Sequence, residues 1–457
     1  MSIIVAKFGG TSVANYQAMV RCADIVLSDP KVKLVVVSAS SGVTNLLVDL
    51  IHDNLSTEKR ISLIDDVIKI QYHILADLKL DQERHQFIVI TLDNLLSKIS
   101  LLSEKLASHI DKSTIDELLS IGEQCSSLLF SEVLIKQGAN SLVFDARKVI
   151  RTDSNHGKAE PSISDIAALA DKLLKPLING HILVTQGFIG SDEQGFTTTL
   201  GRGGSDYSAA LFAEALAAEA LQIWTDVAGI YTTDPRITSK ARALKEISFN
   251  EAAEMATFGA KVLHPATILP AVRRQIQVFV GSSRAPKEGG TWIRHQVINP
   301  PLFRAVAIRR HQTLLTLHSL QMLHAQGFLA ETFTTLAKHK ISVDLITTSE
   351  VNVSLTLDKT GSNSSGSGLI SEALLQELAE HSRVVVEDHL ALVAIIGNQI
   401  ATTAGVCKRI FSVLEPFNIR MICQGASSHN LCVVVSNNDV DNVVSSLHHH
   451  LFEDADN

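Results

Sequence analysis

The stretch Lys7-Phe8-Gly9-Gly10-Thr11-Ser12 brings a lysine, two adjacent glycines and two hydroxyls to the end of an apolar run, Ile3-Ile4-Val5-Ala6, that reads as a first β-strand. Adjacent glycines let backbone N–H groups approach an anion, and a helix starting near Ser12 would aim its positive end at the same point. That is the chemistry of a phosphate cradle. The same six residues would equally suit a tight β-to-α turn with a solvated lysine, so a second phosphate-type feature has to be found.

It lies at Thr197-Thr198-Thr199-Leu200-Gly201-Arg202-Gly203-Gly204-Ser205-Asp206-Tyr207, where an arginine, a hydroxyl and a carboxylate surround three glycines directly before an alanine-rich helix. Two further stretches carry chemistry. Trp224-Thr225-Asp226-Val227-Ala228-Gly229-Ile230-Tyr231-Thr232-Thr233-Asp234-Pro235-Arg236 runs from a strand end to an Asp-Pro turn, and alone would pass for a polar loop. Phe258-Gly259-Ala260-Lys261-Val262-Leu263-His264-Pro265 sets another lysine beside a glycine, with His264 reading as a core histidine. Glu123 follows Leu119 by four positions and precedes Phe130 by seven, which puts its carboxylate on the apolar face of a helix. Position alone favours pairing with an internal arginine over ligand binding.

Elements that could hold these residues follow from the pattern. Asn15 to Leu27 has helical spacing, and Lys33 to Ser38 is a short β-branched run of the kind found in buried parallel strands. The loop Ser38 to Asn45, rich in small and hydroxyl residues, should share a crevice with Gly9-Gly10 at the strand ends. Residues 45 to 136 read as helical throughout, with Ser113 and Asp116 as a capping box. Strand signals at Ser141–Phe144, His181–Val184, Leu221–Trp224 and Gln277–Val280 alternate with helical stretches, so the fold class is α/β with a mostly parallel sheet. Asn299-Pro300-Pro301 reads as a domain boundary. Beyond it the sequence repeats at an offset of 78: Leu314-Leu315-Thr316-Leu317 matches Leu392-Val393-Ala394-Ile395, and Gly327, Phe333, Leu336 and Ile341 match Gly405, Phe411, Leu414 and Ile419. The copies read as two small α+β units, regulatory or oligomerising, with final helices near residues 368–380 and 439–451 and a flexible Gly/Ser loop at 360–368 in the first copy.

The 457 residues carry 40 Lys+Arg against 48 Asp+Glu, without the basic excess of a nucleic-acid binder. Five cysteines without C-x-x-C spacing, Cys22, Cys125, Cys407, Cys423 and Cys432, suit a reducing compartment as buried hydrophobes. No secretory leader and no apolar run long enough to span a bilayer are evident, so a cytoplasmic location without membrane partners is expected. His448-His449-His450 read as a solvated helix end.

Taken in order, the Lys7, Gly201, Thr225 and Phe258 motifs with the C-terminal duplication resemble the aspartokinase family over nearly the whole chain, and its monofunctional, lysine-sensitive members in particular. The resemblance implies an amino-acid-kinase (carbamate-kinase-like) three-layer αβα sandwich over residues 1–298. Two ferredoxin-like ACT domains, 308–390 and 391–457, would follow. The implied activity is transfer of the ATP γ-phosphoryl group, with Mg²⁺ carried by ATP and no metal held by protein side chains, to the side chain of L-aspartate. Lys7, Asp206 and Lys261 would be catalytic. Phe8, Gly9, Gly10, Thr225, Asp226, Tyr231, Arg236 and Val262 would join the two lysines around ATP, with Gly9 and Gly10 giving N–H groups. Arg202 would clamp the α-carboxylate of aspartate and Glu123 its ammonium, with Thr44, Gly203, Gly204 and Ser205 completing the pocket. L-lysine, as allosteric inhibitor, would bind Met322, Ala325, Phe328, Leu329, Ser342, Val343, Asp344, Ser349 and Glu350 in an ACT-mediated homodimer, with a tetramer left open. Ala325 stands where close relatives often have serine. The alternatives are a threonine-sensitive aspartokinase, another amino-acid kinase, and a non-enzymatic ACT-based amino-acid sensor.

Overall fold

A computed structural model describes residues 2–52, 55–201, 203–259, 265–322, 326–357 and 370–453, with backbone only at 265–268 and 321. The chain divides into two compact units. One comprises Met1–Ile230, Ala243–Phe249 and Lys261–Val297; the other comprises Tyr231–Arg242, Asn250–Ala260 and Ile298–Asn457. The proline-marked boundary therefore opens the long final stretch of the second unit, while two earlier segments also belong to it.

The first unit contains β1 (Ile4–Phe8), β2 (Val32–Val37), β3 (Ser141–Phe144), β4 (Ile182–Gln186), β5 (Ile189–Ser191), β6 (Thr197–Thr199), β7 (Ala220–Thr225), β8 (Glu246–Ser248), β9 (Gln277–Ser282) and β10 (Gly290–Arg294). Eight of them form one sheet in the order β3-β4-β2-β1-β7-β9-β10-β8, and β5 pairs with β6 separately. From β3 to β9 every neighbour is parallel; β10 is antiparallel to β9. The continuous apolar runs are explained by burial on both faces, complete along β1. Phe8 pairs in register with both Val37 and Trp224, so the ends of β1, β2 and β7 lie together at the centre of the sheet.

The helices are α1 (Tyr16–Ser28), α2 (Val43–Asp49), α3 (Thr57–Leu78), α4 (Gln82–Ser108), α5 (Lys112–Lys136), α6 (Ile163–Leu169), α7 (Lys175–Ile178), α8 (Gly204–Ala215), α9 (Phe249–Thr257) and α10 (Pro265–Arg274), with α9 passing into the second unit after Phe249. The helix expected near Ser12 begins later. Gly10–Val13 is a 3-10 turn, and α1 opens at Tyr16 because the Asn15 side chain accepts the Ala18 N–H at 2.9 Å. The expected capping box is also displaced: Asp111 caps α5 by accepting the Thr114 N–H at 3.0 Å, and Asp116 lies buried inside the helix. Contrary to the sequence expectation, α4 and α5 are both long and apolar enough to cross a membrane. Much of this apolar surface serves the core: α5 is largely buried, and α4 packs Ile88, Leu92, Leu96 and Ile99 in the same cluster.

In the second unit β11 (Phe303–His318), β12 (Val343–Thr348), β13 (Asn352–Leu357), β14 (Arg383–Gly397), β15 (Ile419–Gln424) and β16 (Asn430–Ser436) form one antiparallel sheet, ordered β12-β13-β11-β14-β16-β15. Its helices are α11 (Phe328–Lys338), α12 (Glu372–Ala379), α13 (Val406–Leu414) and α14 (Val440–His448). The duplication is borne out at its glycines: Gly327 and Gly405 cap α11 and α13 with φ of 98° and 84°, the left-handed region where a side chain is strained. The copies exchange half a strand. Phe303 and Val306 of β11 join the core of the second copy, whereas Leu315 and Leu317 join that of the first. The Gly/Ser loop of the first copy lies outside the described residues.

The two segments from earlier in the chain are fastened to this unit. Val306 donates its N–H to the Thr232 carbonyl at 2.7 Å, Arg304 and Glu251 form a buried ion pair at 3.0 Å, and Glu254 accepts from Ser427 and Asn430. His448 is not part of a solvated helix end. It is buried, with Nε2 2.9 Å from Thr232 Oγ1 and Nδ1 donating to Glu453 at 3.0 Å, while the His449 side chain is exposed. Cys22, Cys125 and Cys432 are buried as expected; Cys407 is exposed.

Candidate active site

At the strand ends of the first unit a cleft of about 290 Å³ is lined by Lys7, Ser38, Thr44, Glu123, Phe188, Gly201, Gly203, Gly204, Ser205 and Asp206. Seven of these are residues singled out from the sequence. Lys7, at the end of β1, is almost fully buried, and its Nζ lies 2.6 Å from Asp206 Oδ1 in the first turn of α8. A buried lysine held by a carboxylate is fixed in one place on the wall of the cleft. The glycines around it are sterically required. A Cβ on Gly10 would stand 2.8 Å from the Ala39 carbonyl, and one on Gly204 would stand 2.7 Å from the Phe188 ring. Gly9 differs from its expected role: its N–H donates to the Trp224 carbonyl at 3.1 Å and is used inside the fold. Phe8 is fully buried beside Phe130 and Trp224, so its side chain serves the core. Ser12 is buried too, sharing a 2.7 Å hydrogen bond with Ser283.

Glu123 supplies the acidic group of the cleft. It sits on α5, which approaches the Ser38–Ser41 loop closely because Gly122 has no side chain; a Cβ there would lie 2.8 Å from that of Ala39. Among the described residues the carboxylate pairs with no arginine. Its Oε2 is buried and has no hydrogen-bond partner among the described residues. Burial pushes the carboxyl up to about 8, opposed by hydrogen bonding to the Ala39 backbone, by its own backbone and by the Lys7 charge. A buried acceptor left open in a cleft asks for a cationic donor. Beside it, Gly203 precedes α8 with φ of 76° and no side-chain cap; the Gly204 N–H goes to the Gly201 carbonyl at 3.0 Å, and the Ser205 and Asp206 N–H groups, without a partner among the described residues, are left for an anion. The cleft thus offers one end suited to an ammonium and another suited to a carboxylate, with Lys7 also in its lining.

Among the described residues, the remaining expected positions are not part of this lining. Thr225 ends β7 and Asp226 follows it; the Thr225 carbonyl accepts the Ser283 N–H at 2.8 Å. Tyr231 and Arg236 belong to the second unit, and Arg236 is an exposed side chain paired with Asp234 at 2.6 Å. Arg202, Lys261, Val262, His264 and Ala325 lie outside the described residues. Of the effector positions, Met322 ends a 3-10 turn, Phe328 and Leu329 open α11, and Ser342 leads into β12, which carries Val343 and Asp344. Ser349 and Glu350 form the β12–β13 turn. Asp344 is ion-paired to Arg309 at 2.5 Å; Glu350 is exposed.

Sequence reasoning did not single out Phe188 or Gly201 as individual site residues. The signal for Phe188 was its place just after a buried strand, in Gly187-Phe188, where a Cβ on Gly187 would lie 2.7 Å from that of Ser205. Its φ of 71° is rare for a bulky side chain and turns the chain into the cleft.

The fold and cleft define an amino-acid kinase with an ACT pair. The amino acid kinase family matches residues 2–282, and the ACT domain family matches 315–363 and 393–451. The chain is 57% identical over 451 residues to lysine-sensitive aspartokinase 3 of Escherichia coli (strain K12), covering 99% of each. The crystal structure of E. coli aspartokinase III in complex with aspartate and ADP (R-state) superimposes with a TM-score of 0.87, covering 99% of this chain and 100% of that one at 57% identity. The T-state complex with lysine and aspartate gives 0.85, covering 98% and 99%, again at 57% identity. The chain belongs to the aspartokinases.

Proposed function

We propose that the chain transfers the γ-phosphoryl group of ATP to the side-chain carboxylate of L-aspartate, giving 4-phospho-L-aspartate for the aspartate-derived amino acids, and is inhibited by L-lysine through its ACT domains. The observation that carries this reading is the open, buried Glu123 carboxylate sharing one cleft with the Lys7–Asp206 pair. Two anions have to meet, so catalysis rests on positioning and charge neutralisation rather than on a protein nucleophile. Glu123 takes the substrate ammonium and Arg202 the α-carboxylate. Thr44, Gly203, Gly204 and Ser205 close around the substrate. Lys7, oriented by Asp206, faces the transferring phosphoryl group, with Lys261 as the second cation. Thr225, Asp226, Tyr231, Arg236 and Val262 form the nucleotide side, and Gly10 contributes backbone to the phosphates. Mg²⁺ arrives with ATP and offsets phosphate charge; among the described residues no cluster of His, Cys, Asp and Glu could hold a metal ion.

The kinase domain is residues 1–298 and the ACT domains are 308–390 and 391–457, paired between two copies as a cytoplasmic homodimer. Lysine, with two ammonium groups, is neutralised by Asp344 and Glu350. Trapping the product as the hydroxamate, with ATP and aspartate and with or without lysine or threonine, tests the reading. Aspartate-dependent hydroxamate suppressed by lysine supports it; suppression by threonine alone or absence of product overturns it.

A further inference from the structure

Asp116 has no part in the assignments above, yet it is among the most heavily hydrogen-bonded side chains of the first unit. It is fully buried on α5 and accepts four hydrogen bonds. Oδ1 takes the Thr199 hydroxyl at 2.6 Å; Oδ2 takes the Thr199 N–H at 3.1 Å, the Gly157 N–H at 3.0 Å and His156 Nδ1 at 3.0 Å. Three of the donors are neutral, and the fourth is a histidine that donates in either protonation state through Nδ1.

What these bonds fix is the approach to the glycine segment of the cleft. Thr199 ends β6, and its carbonyl accepts the Ala159 N–H at 2.9 Å. The next residue, Leu200, donates its N–H to the Phe188 carbonyl at 2.9 Å, and the Gly201 carbonyl accepts the Gly204 N–H at 3.0 Å as α8 begins. Gly157, the other backbone donor to Asp116, lies beneath this turn: its carbonyl would stand 3.3 Å from a Cβ on Gly201. Asp116 and Glu123 are seven positions apart on α5, two helical turns, so they project from the same side of the helix. One helix therefore carries the ammonium acceptor directly and holds, through Thr199, the segment that faces the other end of the substrate.

We infer that Asp116 is a positioning residue for the amino-acid substrate: it sets the distance between Glu123 and the Gly203–Ser205 start of α8, and so the span between the two ends of the amino-acid pocket. This rests on the reading of the cleft as the aspartate site. The role is confined to the acceptor side, because neither Asp116 nor its donors line the cleft themselves.

The test is steady-state kinetics of the full chain with Asp116→Ala, Asp116→Asn and Thr199→Val, varying aspartate and ATP separately. Asn keeps an acceptor for the backbone N–H groups while the Thr199 hydroxyl turns to accept, so it should rescue most of the effect. Ala leaves buried donors unpaired and should raise the aspartate KM about tenfold or more. The ATP KM should stay near that of the parent enzyme. Thr199→Val, which removes one donor and keeps the side-chain volume, should shift the aspartate KM in the same direction and serves if the Ala variant does not fold. A lowered melting temperature with an unchanged aspartate KM, or equal changes in both KM values, would show a merely structural role and overturn the inference. If the parent enzyme does not phosphorylate aspartate, the functional reading fails instead, independently of these variants.

Discussion

Lys7 Nζ lies 2.6 Å from Asp206 Oδ1, joining the end of the central strand to the first turn of the helix that follows the glycine segment. Two of the motifs visible in the sequence thus meet as one ion pair at the mouth of the cleft. In the proposed reaction the lysine neutralises charge that grows only as the phosphoryl group transfers. Lys7→Met should therefore lower kcat by about 10² to 10³-fold while changing the aspartate KM little. A comparable loss confined to KM would assign Lys7 to ground-state binding.

Arg202 and Glu123 are assigned to opposite ends of the amino acid. Arg202→Ala should weaken aspartate by roughly 2 to 5 kcal/mol in kcat/KM and leave the ATP KM close to the parent value. An unchanged aspartate KM in this variant would remove Arg202 from the pocket.

The raised Glu123 carboxyl has a consequence for stability. Because its folded value of about 8 exceeds the usual 4.5, the folded state keeps a proton that the unfolded chain has released. Its contribution is intact below the lower value and is lost as pH rises through the window to the upper one. Glu123→Gln should abolish that dependence, so the variant should gain stability over the parent as pH rises from about 5 to about 8.5. Urea melts at several pH values would register it, and parallel pH profiles for the two proteins would contradict it.

Gly122 admits the Ala39 loop against α5. Gly122→Ala should strain that contact by about 1 to 3 kcal/mol and displace Glu123, raising the aspartate KM along with the loss of stability. Measuring melting temperature and KM together separates this from simple unfolding.

For regulation, Glu350→Lys places a cation where an ammonium of lysine is assigned. The lysine concentration for half-inhibition should rise by about tenfold, within the usual range of allosteric coupling. Undiminished inhibition would take Glu350 out of the effector site.

Much of this was legible in advance because the signals are local. The buried run of β1, the glycines after it and the helical position of Glu123 depend on spacing, and the cleft does unite Lys7, Glu123 and Asp206. What sequence position could not tell was which partner faces a buried group across the fold. Glu123 reads as the partner of an arginine, yet Oε2 has no partner among the described residues. Asp116 imitates a capping residue and instead accepts from Thr199, distant in sequence. His448 sits in a polar triplet near the end of the chain, but Thr232 and Phe452 enclose it. The half-strand exchange of β11 was hidden for the same reason: a 16-residue strand serving two cores looks like two strands in a repeat.

Calorimetric titration of aspartate into the enzyme, with Mg²⁺ and a non-hydrolysable ATP analogue present, tests the central claim most directly when repeated in buffers of different ionisation enthalpy. Glu123, mostly protonated at pH 7 with its carboxyl near 8, must ionise to hold the ammonium. Binding should therefore release about one proton per aspartate at pH 7, and none in Glu123→Gln. Tight aspartate binding with no proton release in the parent enzyme, and equal affinity in the Gln variant, would contradict the assignment of this cleft.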